Sequence, residues 1–234
     1  MLARLPLRGD EVLLDAGCGS GRLTADLAEA LPRGRVVGVD LSQNMLSAAR
    51  SHLDRRRVSL VACDLLQLPF IRIFDGVVST AAFHWVLDHV RLFRELARII
   101  VPGGWLEAQC GGGSNVKSVR VHASKIAATP RFAPYFRKFR EPWCFQDAGP
   151  AADCLRGAGF VDVETSLEPA MTVLKDAAEY KEYVTNIVLR RHLMELPSEE
   201  LRDEFMDEVT AGAAQDDPPY SLDYCRLNLR GRIR

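Results

Sequence analysis

No charge of either sign predominates in this chain: 30 lysines and arginines stand against 31 aspartates and glutamates, a formal net charge of −1. A protein so balanced has no global field to draw it onto nucleic acid or an anionic membrane. No apolar run reaches the roughly 20 residues that a bilayer-crossing helix requires. The first ten residues, MLARLPLRGD, lack the apolar stretch of a secretory signal. The six cysteines are scattered, with no C-x-x-C pair. Such spacing argues against a disulfide framework or a metal site and reads as reduced thiols of a cytoplasmic protein. Internal repeats and low-complexity tracts are missing too. A chain of 234 residues is long enough to bury a sizeable core in a single domain. The expected partner is a small molecule rather than nucleic acid or membrane, and the expected state is a monomer or homodimer.

What is present is concentrated in residues 12–21, VLLDAGCGSG. The apolar run Val12-Leu13-Leu14 ends in Asp15, and glycines follow at alternate positions, Gly17, Gly19 and Gly21. The pattern predicts a buried strand that ends at an acid and opens into a loop without side-chain bulk, where a ligand can press on the backbone. A helical pattern (Leu23, Leu27, Leu31) starts at once. The ligand would therefore lie at a strand's carboxyl end, the usual binding edge of open parallel sheets. An acid beside the glycines calls for positive charge on that ligand.

Strand-like runs recur at Glu11–Asp15, Arg35–Asp40, Val58–Ala62, Phe74–Ser79 and Trp105–Cys110. Helical patterns at Arg22–Leu31, Ser42–Leu53 and His89–Val101 fill most gaps. Ser42 and Asp88 read as N-caps, and Pro102-Gly103-Gly104 as the stop of the third helix. This alternation predicts a mostly parallel sheet covered on both faces. Right-handed crossovers then put every strand's carboxyl end on one rim, where Asp15, Asp40, Asp64 and Ser79 should converge. After residue 110 the rhythm changes. Gly111-Gly112-Gly113-Ser114 reads as a flexible joint, Asn115–Ala128 as a helix, and Thr129–Trp143 is rich in proline, aromatics and arginine. Helix Ala151–Ala158 and the alternating run Val161–Leu167 resume the sheet. Lys175–Gly212 reads as two helices parted by Pro197-Ser198, and Leu222–Ile233 as the last strand. The expected fold is α/β: a Rossmann-like, seven-stranded, mostly parallel sheet with an antiparallel C-terminal strand. Helical cap insertions are expected at about 111–145 and 171–219 of one domain spanning 1–234.

The spacing of the acids suits a nucleoside. Asp40 ends VVGVD, 25 residues after Asp15, and two parallel carboxylate acceptors match the vicinal diol of ribose. Asp64, in VACDL, is placed to accept from an adenine amino group. With these residues the chain resembles the S-adenosylmethionine-dependent methyltransferases of Rossmann-like fold. The resemblance rests on DAGCGSG (15–21), VDLSQNML (39–46), CDL (63–65), FDGVVS (74–79), VPGG (101–104) and LRGAGF (155–160), in that order. It is close over about residues 10–110 and looser over 146–168 and 221–233. The stretch FHWVLDH (83–89) is most similar to small-molecule carboxyl methyltransferases, such as those of trans-aconitate and malonyl-carrier protein.

The resemblance implies S-adenosyl-L-methionine as cofactor and S-adenosyl-L-homocysteine as product. It implies Asp15, Gly17, Cys18, Gly19 and Gly21 around the methionine portion, and Asp40, Leu41 and Met45 in the ribose segment. Cys63, Asp64 and Leu65 would hold the adenine, and Ser79 and Thr80 would lie near the reacting methyl. His84 and Trp85 would face the acceptor. The implied reaction is methyl transfer to a small molecule, at a carboxylate or hydroxyl oxygen. A carboxylate needs no general base; for other nucleophiles His84 is the candidate base, its unperturbed pKa lying near neutrality. Family members carry helices before the first strand. Here that strand begins near residue 11, so either the insertions cover the cofactor or the chain is a late start.

Other readings of the same residues stay open at this point. A nicotinamide-dependent oxidoreductase would carry G-x-G-x-x-G, whereas the spacing here is G-x-G-x-G after an acid. A non-catalytic cofactor-binding or partner module fits the same motif. Asp64 also suits a turn or helix cap, His84 a helix cap or a packed side chain, and Trp85 a pocket wall. His89 reads as a solvated first-turn residue. RFAPYFRKFR (131–140) suits either an RNA or carboxylate site, or an amphipathic helix with buried phenylalanines and solvated arginines. Arg131, Arg137, Arg140, Arg190 and Arg191 are the candidate forks for an anionic substrate.

Overall fold

Short apolar runs closed by turn formers become strands here, and the amphipathic stretches between them become helices. A computed structural model describes Leu2 and residues 5–234. In chain order it contains β1 (Val12–Ala16), α1 (Arg22–Ala30), β2 (Arg35–Asp40), α2 (Gln43–Arg50), β3 (Val58–Ala62), β4 (Phe74–Thr80), α3 (His89–Ile99) and β5 (Ile100–Gly111). There follow α4 (Lys117–Ala127), α5 (Ala133–Phe136), α6 (Ala148–Gly157), β6 (Phe160–Pro169), β7 (Thr172–Val173), α7 (Ala177–Tyr183), α8 (Arg190–Leu193), α9 (Glu199–Ala213), β8 (Ser221–Leu222) and β9 (Cys225–Ile233). Both expected caps form. The Ser42 hydroxyl accepts from the Met45 N–H at 3.3 Å, and the Asp88 carboxylate from the Arg91 N–H at 2.9 Å.

The chain divides into two compact units. One holds the described residues up to Gly113 with Trp143–Glu168 and Arg226–Arg234; the other holds Ser114–Pro142 and Pro169–Cys225. The first unit is built on a seven-stranded sheet in the order β3-β2-β1-β4-β5-β9-β6. Strands β1 to β5 pair in parallel, and β9 runs antiparallel to β5. The strand order reverses at β1, which pairs with β2 on one side and β4 on the other. Such a reversal opens a crevice at the strands' carboxyl ends. Leu13 and Leu14 are both fully buried, on opposite faces of β1. Leu13 packs with Leu27 of α1 and Leu31 just beyond its end, and Leu14 with Leu92, Phe93 and Leu96 of α3. Two covered faces explain the unbroken apolar run.

Three expectations need correction. Pro102-Gly103-Gly104 does not stop α3, which ends at Ile99. These residues bulge within β5, where Phe74 pairs with Ile100 but Gly76 with Trp105. The sheet is covered on both faces only in its parallel part. Along β9 and β6 burial alternates, and one face carries a polar ladder: Arg230 to Glu107 at 2.7 Å and Gln109 to Asn228 at 2.7 Å. Alternation is what a half-exposed antiparallel pair requires. Finally, the glycine joint is packed rather than free. A Cβ on Gly112 would lie 2.5 Å from the Leu227 Cβ and 2.8 Å from the Gln146 carbonyl oxygen.

The second unit joins α4 and α9 and the short β7–β8 ribbon. Its core includes Phe132, fully buried and edge-on to Phe205 at 5.2 Å, with Phe136 stacked on Phe205 at 5.5 Å. The RFAPYFRKFR segment therefore holds one short turn, α5, with Phe132 buried before it and Phe136 and Phe139 half-buried, while Arg137 and Arg140 are exposed. Arg131 is no open fork: its guanidinium pairs with Glu204 at 2.9 Å. Lys175–Gly212 forms three helices rather than two, because the first gives way to a π turn over the β-branched stretch Val184–Val188. Among the described residues no helix is long and apolar enough to cross a membrane. Nor does any group of three or more His, Cys, Asp or Glu among them suit a metal ion.

Candidate active site

The glycine loop after β1 uses its glycines for different reasons. Gly17 has φ +80°, and a Cβ there would lie 2.2 Å from the Ala82 Cβ, so its bareness lets the loops after β1 and β4 close together. Gly19, at φ +54°, would direct a Cβ into open space, with nothing within 4 Å. One glycine is required by packing; the other leaves a cradle.

Hydrogen bonds lock that cradle to the neighbouring strand ends. The Gly17 and Cys18 N–H groups both donate to the Val39 carbonyl, at 2.8 and 2.9 Å. One Asp40 oxygen accepts the Gly19 N–H at 2.9 Å and the other the Ser42 N–H at 2.8 Å. Each carboxylate oxygen keeps a further acceptor site. The Cys63 N–H reaches the Asp40 carbonyl at 3.3 Å, tying in β3. The Ser79 hydroxyl donates to the Ala16 carbonyl at 2.6 Å, tying in β4. Asp15, Asp40, Asp64 and Ser79 thus meet on one rim through a continuous set of bonds.

Their environments differ. Asp15 is 1% exposed, and its carboxylate accepts the Thr24 hydroxyl at 2.6 Å. Burial pushes its pKa up to about 6, against the Thr24 bond and with help from the Asp40 charge. The buried Cys18 thiol is pushed up to about 12, chiefly by desolvation, and packs under Gly38 as a neutral filler. Leu41 is 74% and Met45 46% exposed, an apolar surface beside the Asp40 carboxylate. Asp64 is exposed and accepts the Leu66 N–H at 2.9 Å, so it shapes the turn while standing on the rim. Leu65 is buried, and Cys63 and Thr80 are half-buried.

After β4 the chain makes a 3-10 turn, Phe83–Trp85. The Gly111 N–H donates to His84 Nδ1 at 3.1 Å, which places the neutral ring's proton on Nε2. Burial, and then the neighbouring His89, lower the His84 pKa to about 4. The near-neutral pKa that recommends His84 as a base therefore does not survive folding; the ring is a hydrogen-bond donor. His89 corrects another expectation. It is buried, and its Nε2 donates to the Phe83 carbonyl at 2.9 Å, holding the turn from beneath.

Two aromatics escape a reading of sequence alone. The Cys144 N–H donates to the His84 carbonyl at 2.8 Å, bringing Trp143 and Phe145 onto the turn. Trp143 lies 6.1 Å from Trp85, and Phe145 5.7 Å from His84. The available signal is the W-C-F alternation, which in an extended segment puts both rings on one side. Remote sequence position hides it. No lysine or arginine occurs in any of the rim segments 15–21, 40–46, 63–68, 79–88, 109–113 and 143–147.

Comparison with known proteins agrees with this geometry. The sequence model of the methyltransferase domain matches residues 14–108. A trans-aconitate 2-methyltransferase of Azoarcus sp. (strain BH72) is 33% identical over 185 residues, covering 68% of this chain and 72% of that one. The chain belongs to the S-adenosylmethionine-dependent methyltransferases. A putative methyltransferase structure from Bacillus halodurans superposes with TM-score 0.69 at 19% identity, over 99% of this methyltransferase and 96% of that chain. Haemonchus contortus phosphoethanolamine N-methyltransferase 2, in complex with S-adenosyl-L-methionine, shares the fold with TM-score 0.62 at 19% identity, over 97% of this chain and 50% of that one. The cofactor is S-adenosylmethionine, not a nicotinamide dinucleotide. The open Gly19 cradle, the bare Leu41 surface and rim segments without lysine or arginine suit a cationic nucleoside.

Proposed function

We propose that this enzyme methylates a carboxylate oxygen of a small molecule. One observation carries the choice: His84 has its Nδ1 occupied by the Gly111 N–H and a pKa near 4, so it is not poised to take a proton. An acceptor that is already anionic needs none taken. The similarity to a trans-aconitate 2-methyltransferase supports a carboxylic acid as acceptor. When bound, the cofactor supplies an electrophilic methyl: as the acceptor oxygen's lone pair forms the O–C bond, the C–S pair returns to sulfur, neutralising anion and cation without moving a proton. The protein's part is alignment and exclusion of water. Asp40 holds the ribose beside Leu41, the Gly19 cradle and the buried Asp15 take the methionine portion with its ammonium, and Cys63, Asp64 and Leu65 border the adenine. His84 Nε2–H steadies the acceptor carboxylate beside Trp85. The inserted second unit belongs to the same methyltransferase domain in this reading.

The test is the chemical nature of the product. Methyl groups transferred from labelled S-adenosylmethionine to a panel of acids, phenols and amines should appear in products that mild alkali hydrolyses, as esters do. Transfer predominantly into alkali-stable ethers or N-methyl products would refute carboxylate methylation while leaving the methyltransferase intact.

A further inference from the structure

Trp143 and Phe145 have no part in the cofactor cradle, yet backbone bonds fix them beside the acceptor turn. The Gly111 N–H holds His84 Nδ1, the His84 carbonyl holds the Cys144 N–H, and the Gln146 carbonyl takes the Gly113 N–H at 2.9 Å. The absent Gly112 Cβ, which would collide with the Gln146 carbonyl, lets strap and strand approach this closely. The result is a preset wall. Trp143 and Phe145 are nearly parallel, 16° apart with centroids at 5.5 Å, and Trp85 beside them is 45% exposed. Most other large aromatics of this unit are buried: Phe74, Phe83, Phe93 and Phe160 are at most 2% exposed, and Trp105 is 7%.

We propose that this wall makes the enzyme selective for acceptors that carry an aromatic ring beside their carboxylate, over aliphatic carboxylates of equal or greater charge. The inference rests on the carboxylate reading above. Two features of the wall support it. Flat rings gain offset or edge-on contact with Trp85, Trp143 and Phe145, which an alkyl chain cannot reproduce. His84 offers one N–H donor, and the rim segments contain no lysine or arginine, so those segments offer second and third carboxylates no counter-charge.

The experiment is equilibrium binding to the full chain, with and without S-adenosylhomocysteine, followed by tryptophan fluorescence and calorimetry. The probes are cinnamate, hexanoate and propane-1,2,3-tricarboxylate. Cinnamate should bind about fivefold to tenfold more tightly than hexanoate, as one or two ring contacts imply, and more tightly than the tricarboxylate. Trp143→Leu should erase most of that preference, cinnamate losing more affinity than hexanoate, and Trp143→Phe should restore part of it. Phe145→Leu gives the same readout should Trp143→Leu fail to fold, S-adenosylhomocysteine binding reporting the fold of each variant. Equal or tighter binding of either aliphatic probe, or a preference unmoved in a folded variant, would overturn the proposal. Failure of the wild type to bind S-adenosylhomocysteine would instead count against the cofactor site, because the ring preference is read without it as well.

Discussion

Gly17 and Gly19 sit two residues apart in one loop, both with positive φ, yet their alanine variants should fail in opposite ways. Alanine in a left-handed conformation costs about 1–2 kcal/mol, and this applies to both. At Gly19 nothing adds to it, because the new methyl meets no atom within 4 Å. Gly19→Ala should therefore lower Tm by about 2–8 °C, at roughly 2–4 °C per kcal/mol for a chain this long. At Gly17 the methyl would stand 2.2 Å from the Ala82 Cβ. Overpacking adds about 1–3 kcal/mol, so Gly17→Ala should lose about 2–5 kcal/mol in all. Ligand binding reverses the ranking. In the proposed site the space open at Gly19 takes the cofactor's methionine end, so a methyl there should weaken S-adenosylhomocysteine about 5- to 150-fold. Differential scanning calorimetry and titration calorimetry on the pair give both numbers. A Gly19→Ala protein that binds S-adenosylhomocysteine as well as wild type would refute the cradle.

Two further outcomes follow from buried polar groups. Asp15 holds its proton more tightly folded than unfolded, with its pKa raised by burial from the ordinary 3.8 to about 6. Its contribution to stability is thus whole below pH 4 and is lost as pH rises through 6. Asp15→Asn should match wild type at pH 4 and exceed it by up to about 3 kcal/mol at pH 7, at 1.36 kcal/mol per pKa unit, while binding S-adenosylhomocysteine more weakly. Urea unfolding at both pH values checks the first claim, and an Asn variant less stable at pH 7 would contradict it. In the second unit, the buried Asn115 side chain accepts the Cys225 N–H at 2.9 Å. Asn115→Ala should cost about 1–3 kcal/mol by orphaning that donor, with Asn115→Asp recovering part; a loss under about 0.5 kcal/mol would show the bond to be dispensable.

The parallel half of the sheet is legible in sequence because each strand is buried on both faces and so reads as a continuous apolar run. The rim acids are legible because parallel topology forces strand ends together. Burial and hydrogen bonding of those acids are not. Nothing in the sequence shows that Thr24 caps Asp15 or that Asp40 spends two bonds on backbone N–H groups. His84 is the plainest case: its type and position are readable, but its pKa is set by burial and the neighbouring His89, and the position of its proton by Gly111, 27 residues away. Gly111–Gly113 misread as a hinge for a related reason. Glycine marks freedom or close approach equally well, and only the neighbours, Leu227 and Gln146, decide between them. Trp143 and Phe145 depend on a long-range return of the chain that no local period records.

The lack of lysine and arginine on the rim has an electrostatic explanation. A sulfonium donor held by buried and half-buried carboxylates loses affinity to every nearby cation. At 6 Å and an effective dielectric constant near 20, one ammonium would oppose it by about 3 kcal/mol, roughly a hundredfold in binding. An enzyme whose acceptor is an anion therefore faces a conflict: the cation that would best hold the acceptor would repel the donor. Neutral donors avoid it. A histidine kept uncharged by burial, with its proton fixed on Nε2 by a backbone N–H, can hold a carboxylate oxygen while adding no net charge beside the sulfur. In the proposed reaction the depressed His84 pKa serves through charge rather than through proton transfer, and a protonated His84 would weaken donor binding as it formed.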